Sequence, residues 1–253
     1  MLHRAFDWRG PDRIVLVHGF TQTLRSWERL AASLAETFQI TRVDLPGHGG
    51  SADVDLSFEE AAAAIGEAGG TATYVGYSMG GRLCLRLALD RPDLVQSLVL
   101  VGASPGLADA GERAARQEAD AALADEIERD GTAIFLDRWL SQPMFSTLTV
   151  DPLDLDARLT NTPAGLAMAL RRLGPGAQEP LWDRLAELKM PVLAVTGQED
   201  VKYSALAEDM ADAIGVNAQV VALAGAGHAA HLERPGSFHR LLAAFLVLHP
   251  STV

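Results

Sequence analysis

A single cysteine, Cys84, stands in 253 residues. No internal disulfide can form, and a cysteine-based zinc site is excluded. Cys84 lies between Leu83 and Leu85 in an apolar helical stretch, which reads as a buried core thiol. Lysine is nearly absent too: of 21 basic residues, all but Lys189 and Lys202 are arginine. Against 33 acidic residues this leaves a net charge of −12. Non-specific binding to nucleic acid or to anionic membranes needs a basic surface, so both classes are set aside. No apolar run approaches the ~18–20 residues of a membrane helix. Met1-Leu2-His3-Arg4-Ala5-Phe6-Asp7 has no apolar signal core. A cytoplasmic protein, monomer or small homo-oligomer, with a small-molecule partner is the expectation.

What is present is ordinary for a globular chain: 48% hydrophobic and 21% charged residues. That composition carries a sizeable core and excludes disorder, collagen and coiled coil. Aliphatic runs at Ile14–Val17, Ile40–Val43, Ala72–Val75, Leu98–Val101, Val192–Val195 and Gln219–Leu223 suit parallel strands buried on both faces. Leu2–Phe6 is a further candidate, giving about seven strands. Helical stretches at Leu24–Ala35, Phe58–Ala68, Gly80–Leu89, Tyr203–Ile214 and Ser237–Leu248 alternate with them. The expected class is α/β: a mostly parallel sheet covered by helices on both sides. The alternation stops between Gly106 and Leu188. There, Ala108–Arg129, Thr132–Leu140, Leu155–Leu173 and Pro180–Leu188 are helical in pattern, punctuated by prolines. We expect a core of residues 1–105 and 189–253, with 106–188 inserted as a helical lid over the strand C-terminal ends, where open α/β sheets bind ligands.

Gly76-Tyr77-Ser78-Met79-Gly80-Gly81 is the strongest chemical signal. It is G-x-S-x-G between a strand and a helix, the context in which such a turn projects its serine. A serine needs a base, and the base an orienting carboxylate. Asp200 follows the strand Val192–Val195, and His228 follows the strand Gln219–Leu223. Both therefore fall on the sheet edge that carries Ser78, in the order Ser, Asp, His. Taken alone, Asp200 could be a helix N-cap and His228 a surface loop residue. His231 is a rival base. His18-Gly19-Phe20 follows Ile14–Val17 and should bring the Phe20 N–H opposite that of Met79, two donors suited to an oxyanion hole. Gly47-His48-Gly49 reads as a structural turn beside the site, and Trp27 as packing.

Together with Gly197-Gln198-Glu199-Asp200 and Ala226-Gly227-His228, these motifs resemble the α/β-hydrolase superfamily over essentially the whole chain outside the insertion. Within it, Arg82 after the elbow, the segments Glu112–Arg116 and Phe135–Phe145, Arg158-Leu159-Thr160-Asn161 and Gln178–Trp182 resemble the 2-succinyl-6-hydroxy-2,4-cyclohexadiene-1-carboxylate synthase family of menaquinone biosynthesis. The resemblance implies a lyase. It implies a catalytic triad of Ser78, Asp200 and His228, with the Phe20 and Met79 amides as oxyanion donors. Arg82, Arg116 and Arg158 would bind the substrate, with Tyr77 and Trp139 as pocket aromatics. Arg171 and Arg172 are alternatives to Arg158. The implied substrate is a tricarboxylate that loses pyruvate; no metal and no organic cofactor is implied. The same triad would also serve a carboxylesterase or a carbon–carbon bond hydrolase, and the same scaffold a ligand receptor.

Overall fold

The computed structural model describes residues 1–7, 10 and 12–250. Seven strands form one sheet: β1 (Arg4–Asp7), β2 (Asp12–Val17), β3 (Phe38–Val43), β4 (Ala72–Tyr77), β5 (Val95–Val101), β6 (Val192–Gly197) and β7 (Ala218–Leu223). Their order is β1-β3-β2-β4-β5-β6-β7, with β1 antiparallel to β3 and every other pair parallel. Successive side chains leave a strand on opposite faces, and the sheet's two cores follow that alternation. Val15, Val17, Tyr74, Leu98, Leu100, Val192 and Ala194 enter one core. Ile14, Leu16, Val75, Tyr77, Val99, Val101, Leu193 and Val195 enter the other. Burial on both faces explains why these strands read as unbroken apolar runs.

The helices are α1 (Glu28–Leu34), α2 (Phe58–Gly69), α3 (Met79–Asp90), α4 (Ala110–Asp130), α5 (Thr132–Leu140), α6 (Pro152–Leu159), α7 (Pro163–Leu173), α8 (Val201–Ile214), α9 (Ala230–Glu233) and α10 (Pro235–Leu248). Helices α2, α3 and α8 supply apolar residues to the first core; α1 and α10 supply the second. Ser57 and Glu60 cap α2 reciprocally, each side chain accepting the other's backbone N–H, which satisfies two of the helix's orphan donors.

Three helical stretches differ from their sequence reading, one of them Pro180–Leu188, which forms a 3-10 helix over Trp182–Glu187. Leu24–Ala35 opens as a 3-10 turn, Leu24–Trp27, whose Arg25 N–H donates to the Thr23 hydroxyl, and only then becomes α1. Leu155–Leu173 is two helices. Pro163 disfavours helical backbone at Thr162, and the Thr162 hydroxyl accepts the Gly165 N–H to start α7 afresh. The break leaves a short joint, residues 160–162, facing the core.

Helices α4 to α7 enter between β5 and β6, as a lid inserted into an α/β-hydrolase fold. The lid has its own apolar cluster, in which Ala124, Ile127, Phe135, Leu166, Ala167 and Leu170 are buried and against which Phe20 of the core and Trp139 pack. Among the described residues no helix is long and apolar enough to cross a membrane, and no group of three or more His, Cys, Asp or Glu is placed to hold a metal ion.

Candidate active site

Strand β4 ends in a turn so tight that side chains would not fit. A Cβ on Gly76 would lie 2.6 Å from the Gly80 carbonyl oxygen, and one on Gly80 would lie 2.4 Å from the His18 carbonyl oxygen. Ser78, at the turn's apex, takes φ +49°, one of two non-glycine residues with positive φ among those described. Such a conformation costs about 1–3 kcal/mol and persists only where the surroundings over-determine it. Here the Ser78 N–H donates to the Val101 carbonyl at 2.8 Å, and Ser78 O accepts the Arg82 N–H at 3.0 Å. The hydroxyl therefore stands at the N-terminus of α3.

The loops after β6 and β7 meet backbone to backbone. A Cβ on Gly197 would come within 2.2 Å of the Ala226 and Gly227 carbonyl oxygens, and the Glu199 N–H donates to Ala226 O at 2.9 Å. This approach brings Asp200 and His228 together. Asp200 Oδ2 lies 2.7 Å from His228 Nδ1, and His228 Nε2 lies 3.2 Å from Ser78 Oγ. A carboxylate can only accept, so Nδ1 carries the proton and Nε2 is left to accept from the serine hydroxyl. Asp200 Oδ1 also accepts the Tyr203 N–H at 3.3 Å. Asp200 is thus both the N-cap of α8 and the histidine's partner. Such a chain can draw the proton from Ser78 Oγ and hold the resulting imidazolium beside a carboxylate.

His231, three residues on, is not in that chain. It is buried against Trp27, at 4.5 Å between ring centroids, and Tyr77, at 4.4 Å, and neither ring nitrogen has a partner. Burial, aided by the Arg158 charge, pulls its pKa down to about 3, so it packs as a neutral ring.

The loop after β2 is pinned at nearly every amide. Gly19 N–H donates to Gln22 Oε1 at 3.0 Å, Thr21 N–H to His48 Nε2 at 3.2 Å, and Gln22 N–H to Gly19 O at 3.2 Å. The His48 ring can accept because its Nδ1 donates to Pro46 O at 2.9 Å and because burial keeps it neutral, with a pKa of about 3. Among the described residues the Phe20 N–H has no such partner, nor has the Met79 N–H at the first turn of α3. A Cβ on Gly19 would sit 2.6 Å from the Tyr77 ring, so glycine lets this loop pass the elbow.

The arginines divide. Arg82 is buried, donates through Nη1 to Gln178 Oε1 at 2.8 Å and through Nη2 to Leu173 O at 2.6 Å, and lies 5.5 Å from the Phe58 ring centre. Among the described residues it has no carboxylate partner. Burial lowers its pKa to about 10, with Tyr203 and Asp120 acting to raise it, so it stays a cation at neutral pH. Arg158 is buried as well, pairing with Asp154 at 2.7 Å and donating to Thr21 Oγ1 at 2.7 Å. The side chain of Arg116 is 42% exposed and pairs with buried Asp120. Arg171 binds Asp125 and Glu128, and Arg172 binds Asp55, all at the surface; neither is free to replace Arg158.

Tyr77 is buried with its ring 5.4 Å from that of His228. Trp139 reaches down from α5 to lie 5.3 Å from Phe20 and 6.0 Å from Phe145, with its Nε1 buried and unpartnered. Of the site's neighbours, Tyr203 and Glu233 were not singled out in the sequence as site residues, and Gln178 and Asn161 were read only as parts of longer segments. Tyr203 packs its ring 4.4 Å from His228. Glu233 clamps the histidine loop by accepting the Gly227 and Ala229 amides at 2.7 and 3.0 Å. Gln178 holds Arg82, and Asn161 joins the lid to the core. A glutamate just beyond a Gly-His turn is the one signal that was available. A cleft of about 390 Å³ between α1, α10 and residues 148–154 includes His231 in its wall but none of Ser78, Asp200 or His228.

A strained serine at a strand–helix elbow, a histidine and an aspartate on neighbouring strand ends, and a helical lid define a class. The chain belongs to the alpha/beta hydrolase family, which it matches over residues 14–241. Within that family it is closely related to the 2-succinyl-6-hydroxy-2,4-cyclohexadiene-1-carboxylate synthases. It is 34% identical to that of Serratia proteamaculans over 92% of each chain, and 32% identical to that of Escherichia coli O1:K1 / APEC over 94% of each. The solved structure of MenH from S. aureus superposes with a TM-score of 0.90 at 28% identity, covering 99% of this chain and 100% of that one. An esterase from Thermogutta terrifontis, at 22% identity and a TM-score of 0.81, shares the fold.

Proposed function

We propose that the protein eliminates pyruvate from 2-succinyl-5-enolpyruvyl-6-hydroxy-3-cyclohexene-1-carboxylate to give 2-succinyl-6-hydroxy-2,4-cyclohexadiene-1-carboxylate. The observation that carries this reading is the buried Arg82 guanidinium, which among the described residues has no carboxylate partner. A buried cation is costly unless an anion offsets it. A substrate with three carboxylates supplies anions, and a neutral ester does not. Relatives 32–34% identical over more than nine-tenths of the chain carry the synthase name.

In this reading His228 takes the proton of Ser78 Oγ, and the Ser78 oxygen removes the ring proton α to the succinyl carbonyl. Asp200 holds the Nδ1–H tautomer and stabilises the imidazolium. The electron pair of the broken C–H bond moves through the ring alkene to form the conjugated diene. The ring C–O bond to the enolpyruvyl group breaks, and the departing enolate takes a proton and becomes pyruvate. Charge gathers on the succinyl carbonyl oxygen as the proton leaves, and the Phe20 and Met79 amides, which have no other partner among the described residues, donate to it. Arg82 and Arg158 hold substrate carboxylates, Arg116 assists from the rim, and Tyr77 and Trp139 wall the pocket. Residues 106–188 close over the substrate as a unit distinct from the core of 1–105 and 189–253.

The test offers the enzyme two substrates: the enolpyruvyl cyclohexene, generated enzymatically, and p-nitrophenyl acetate. Pyruvate release with negligible ester cleavage supports the elimination. Ester cleavage without pyruvate release returns the chain to the carboxylesterase class.

A further inference from the structure

Thr21 is where the lid takes hold of the loop after β2. It has φ +68°, in the left-handed region that a β-branched residue avoids. From the lid, Arg158 Nη1 donates to Thr21 Oγ1, and Asn161 Nδ2 donates to Thr21 O at 2.8 Å. From the core, the Thr21 N–H is held by His48. Asn161 is 3% exposed, and its Oδ1 accepts the Gly49 N–H at 2.8 Å. One side chain in the joint between α6 and α7 thus ties two core loops together: the one that carries Phe20 and the Gly47-His48-Gly49 turn. A residue held at positive φ stays there only while its surroundings over-determine it. Two of the three holds on Thr21 come from the lid.

We propose that Asn161 is a positioning residue that aims the Phe20 amide and makes that aim depend on the docked lid. Phe20 immediately precedes Thr21. If Thr21 is released and relaxes to negative φ, the Phe20 segment turns with it. Lid closure then does more than cover the substrate: it completes the pair of oxyanion donors. This inference rests on the reading of the Phe20 N–H as an oxyanion donor.

Two variants separate positioning from mere support. Asn161→Ala removes the hold on the Thr21 carbonyl and leaves those of Arg158 and His48 in place. Thr132→Val removes a different bond to the same joint, from Thr132 Oγ1 to Asn161 O at 2.8 Å, and leaves the Asn161 amide in place. For each we would measure Tm, kcat and KM for pyruvate release, and the dissociation constant of phenylboronic acid. That probe adds to Ser78 Oγ as a tetrahedral anion and reads the donors without turnover. Both variants should lower Tm. Asn161→Ala should lower kcat at least tenfold, a loss on the order of that for a misaimed oxyanion donor, with KM changed less than about threefold. It should weaken the boronate by a similar factor. Thr132→Val should keep kcat and the boronate constant within about twofold. The proposal is overturned if Asn161→Ala keeps kcat within threefold, or if both variants lose kcat in parallel with Tm. Should Asn161→Ala fail to fold, Asn161→Ser is read against the same criteria. If the wild type releases no pyruvate, the elimination reading fails, and the clamp is judged on boronate binding alone. Absence of boronate binding in the wild type overturns the oxyanion reading and the clamp with it.

Discussion

His228 and His231 lie on one short stretch of chain, three residues apart, and the structure uses them oppositely. The first has a partner on each ring nitrogen, Asp200 and Ser78. The second has, among the described residues, a partner on neither and is enclosed by Trp27 and Tyr77. The same contrast separates two larger regions. At the C-terminal edge of the sheet, short loops from β4, β6 and β7 bring their polar groups into contact through glycine-permitted backbone approach. Beneath the lid, the arginines differ in how their charge is met: Arg158 pairs with Asp154 and Arg116 with Asp120, each four residues away, whereas Arg82 donates to the neutral Gln178 side chain and the Leu173 carbonyl. In the proposed reaction the strand ends carry the proton chemistry because tight glycine turns hold Ser78, Asp200 and His228 within hydrogen-bond reach of one another. In the proposed reaction this region selects the substrate through Arg82, which among the described residues meets no carboxylate within the protein.

The largest effect should come from the sheet edge. Ser78→Ala and His228→Ala should each lower kcat for pyruvate release by about 10⁴-fold or more, as loss of a triad member does elsewhere, with little change in Tm. Steady-state kinetics on the enolpyruvyl substrate checks this. Next, Arg82→Ala should cost about 10²-fold in kcat/KM, chiefly through KM, since it removes a charge-assisted contact made in ground and transition states alike. Arg158→Ala and Arg116→Ala then sharpen the division. Arg158 is buried with Asp154, so its loss leaves a carboxylate stranded and should lower both Tm and kcat/KM. Arg116 is half-exposed but its partner Asp120 is buried, so its loss should cost less than about fivefold in kcat/KM while still lowering Tm. Equal effects at the two positions would break the distinction between buried and rim arginines.

The smallest expected effect tests the histidine pair. Folded His231 titrates near 3 because burial disfavours its charge, whereas the unfolded chain titrates near 6.5. Between those values the unfolded state binds a proton that the folded state does not, so stability falls as pH drops from about 6.5 toward 3. His18 and His48 are lowered by burial as well and add to the same slope. His231→Phe should leave turnover at pH 7 within about twofold. It should also flatten the acid side of the stability curve by roughly one proton, read as urea midpoints at pH 7 and pH 4.5.

The strands and the Ser, Asp, His order were legible because they depend on local pattern: apolar runs buried on both faces, and glycine turns just past them. The lid was legible as helices but not in its joints. Leu155–Leu173 reads as one helix by its apolar pattern, although Thr162-Pro163 marks the break. Asn161 owes its place to that break, and nothing in its neighbours along the chain points to Thr21 or Gly49. Tyr203 reads as the start of α8 because it is one; that its ring also packs against His228 depends on how closely the loops after β6 and β7 approach. The pairing of Arg116 with Asp120, four residues on along α4, is helix-spaced and was open to reading. The burial of Arg158 is a tertiary fact.

The most direct test of this division sets kcat and KM for pyruvate release by Ser78→Ala and Arg82→Ala beside the wild type, at substrate concentrations spanning both KM values. The account predicts that Ser78→Ala loses kcat by orders of magnitude, while Arg82→Ala retains most of kcat and loses its affinity for the anionic substrate. Unchanged kcat/KM in Arg82→Ala would contradict it, because the buried guanidinium would then have no anion to meet.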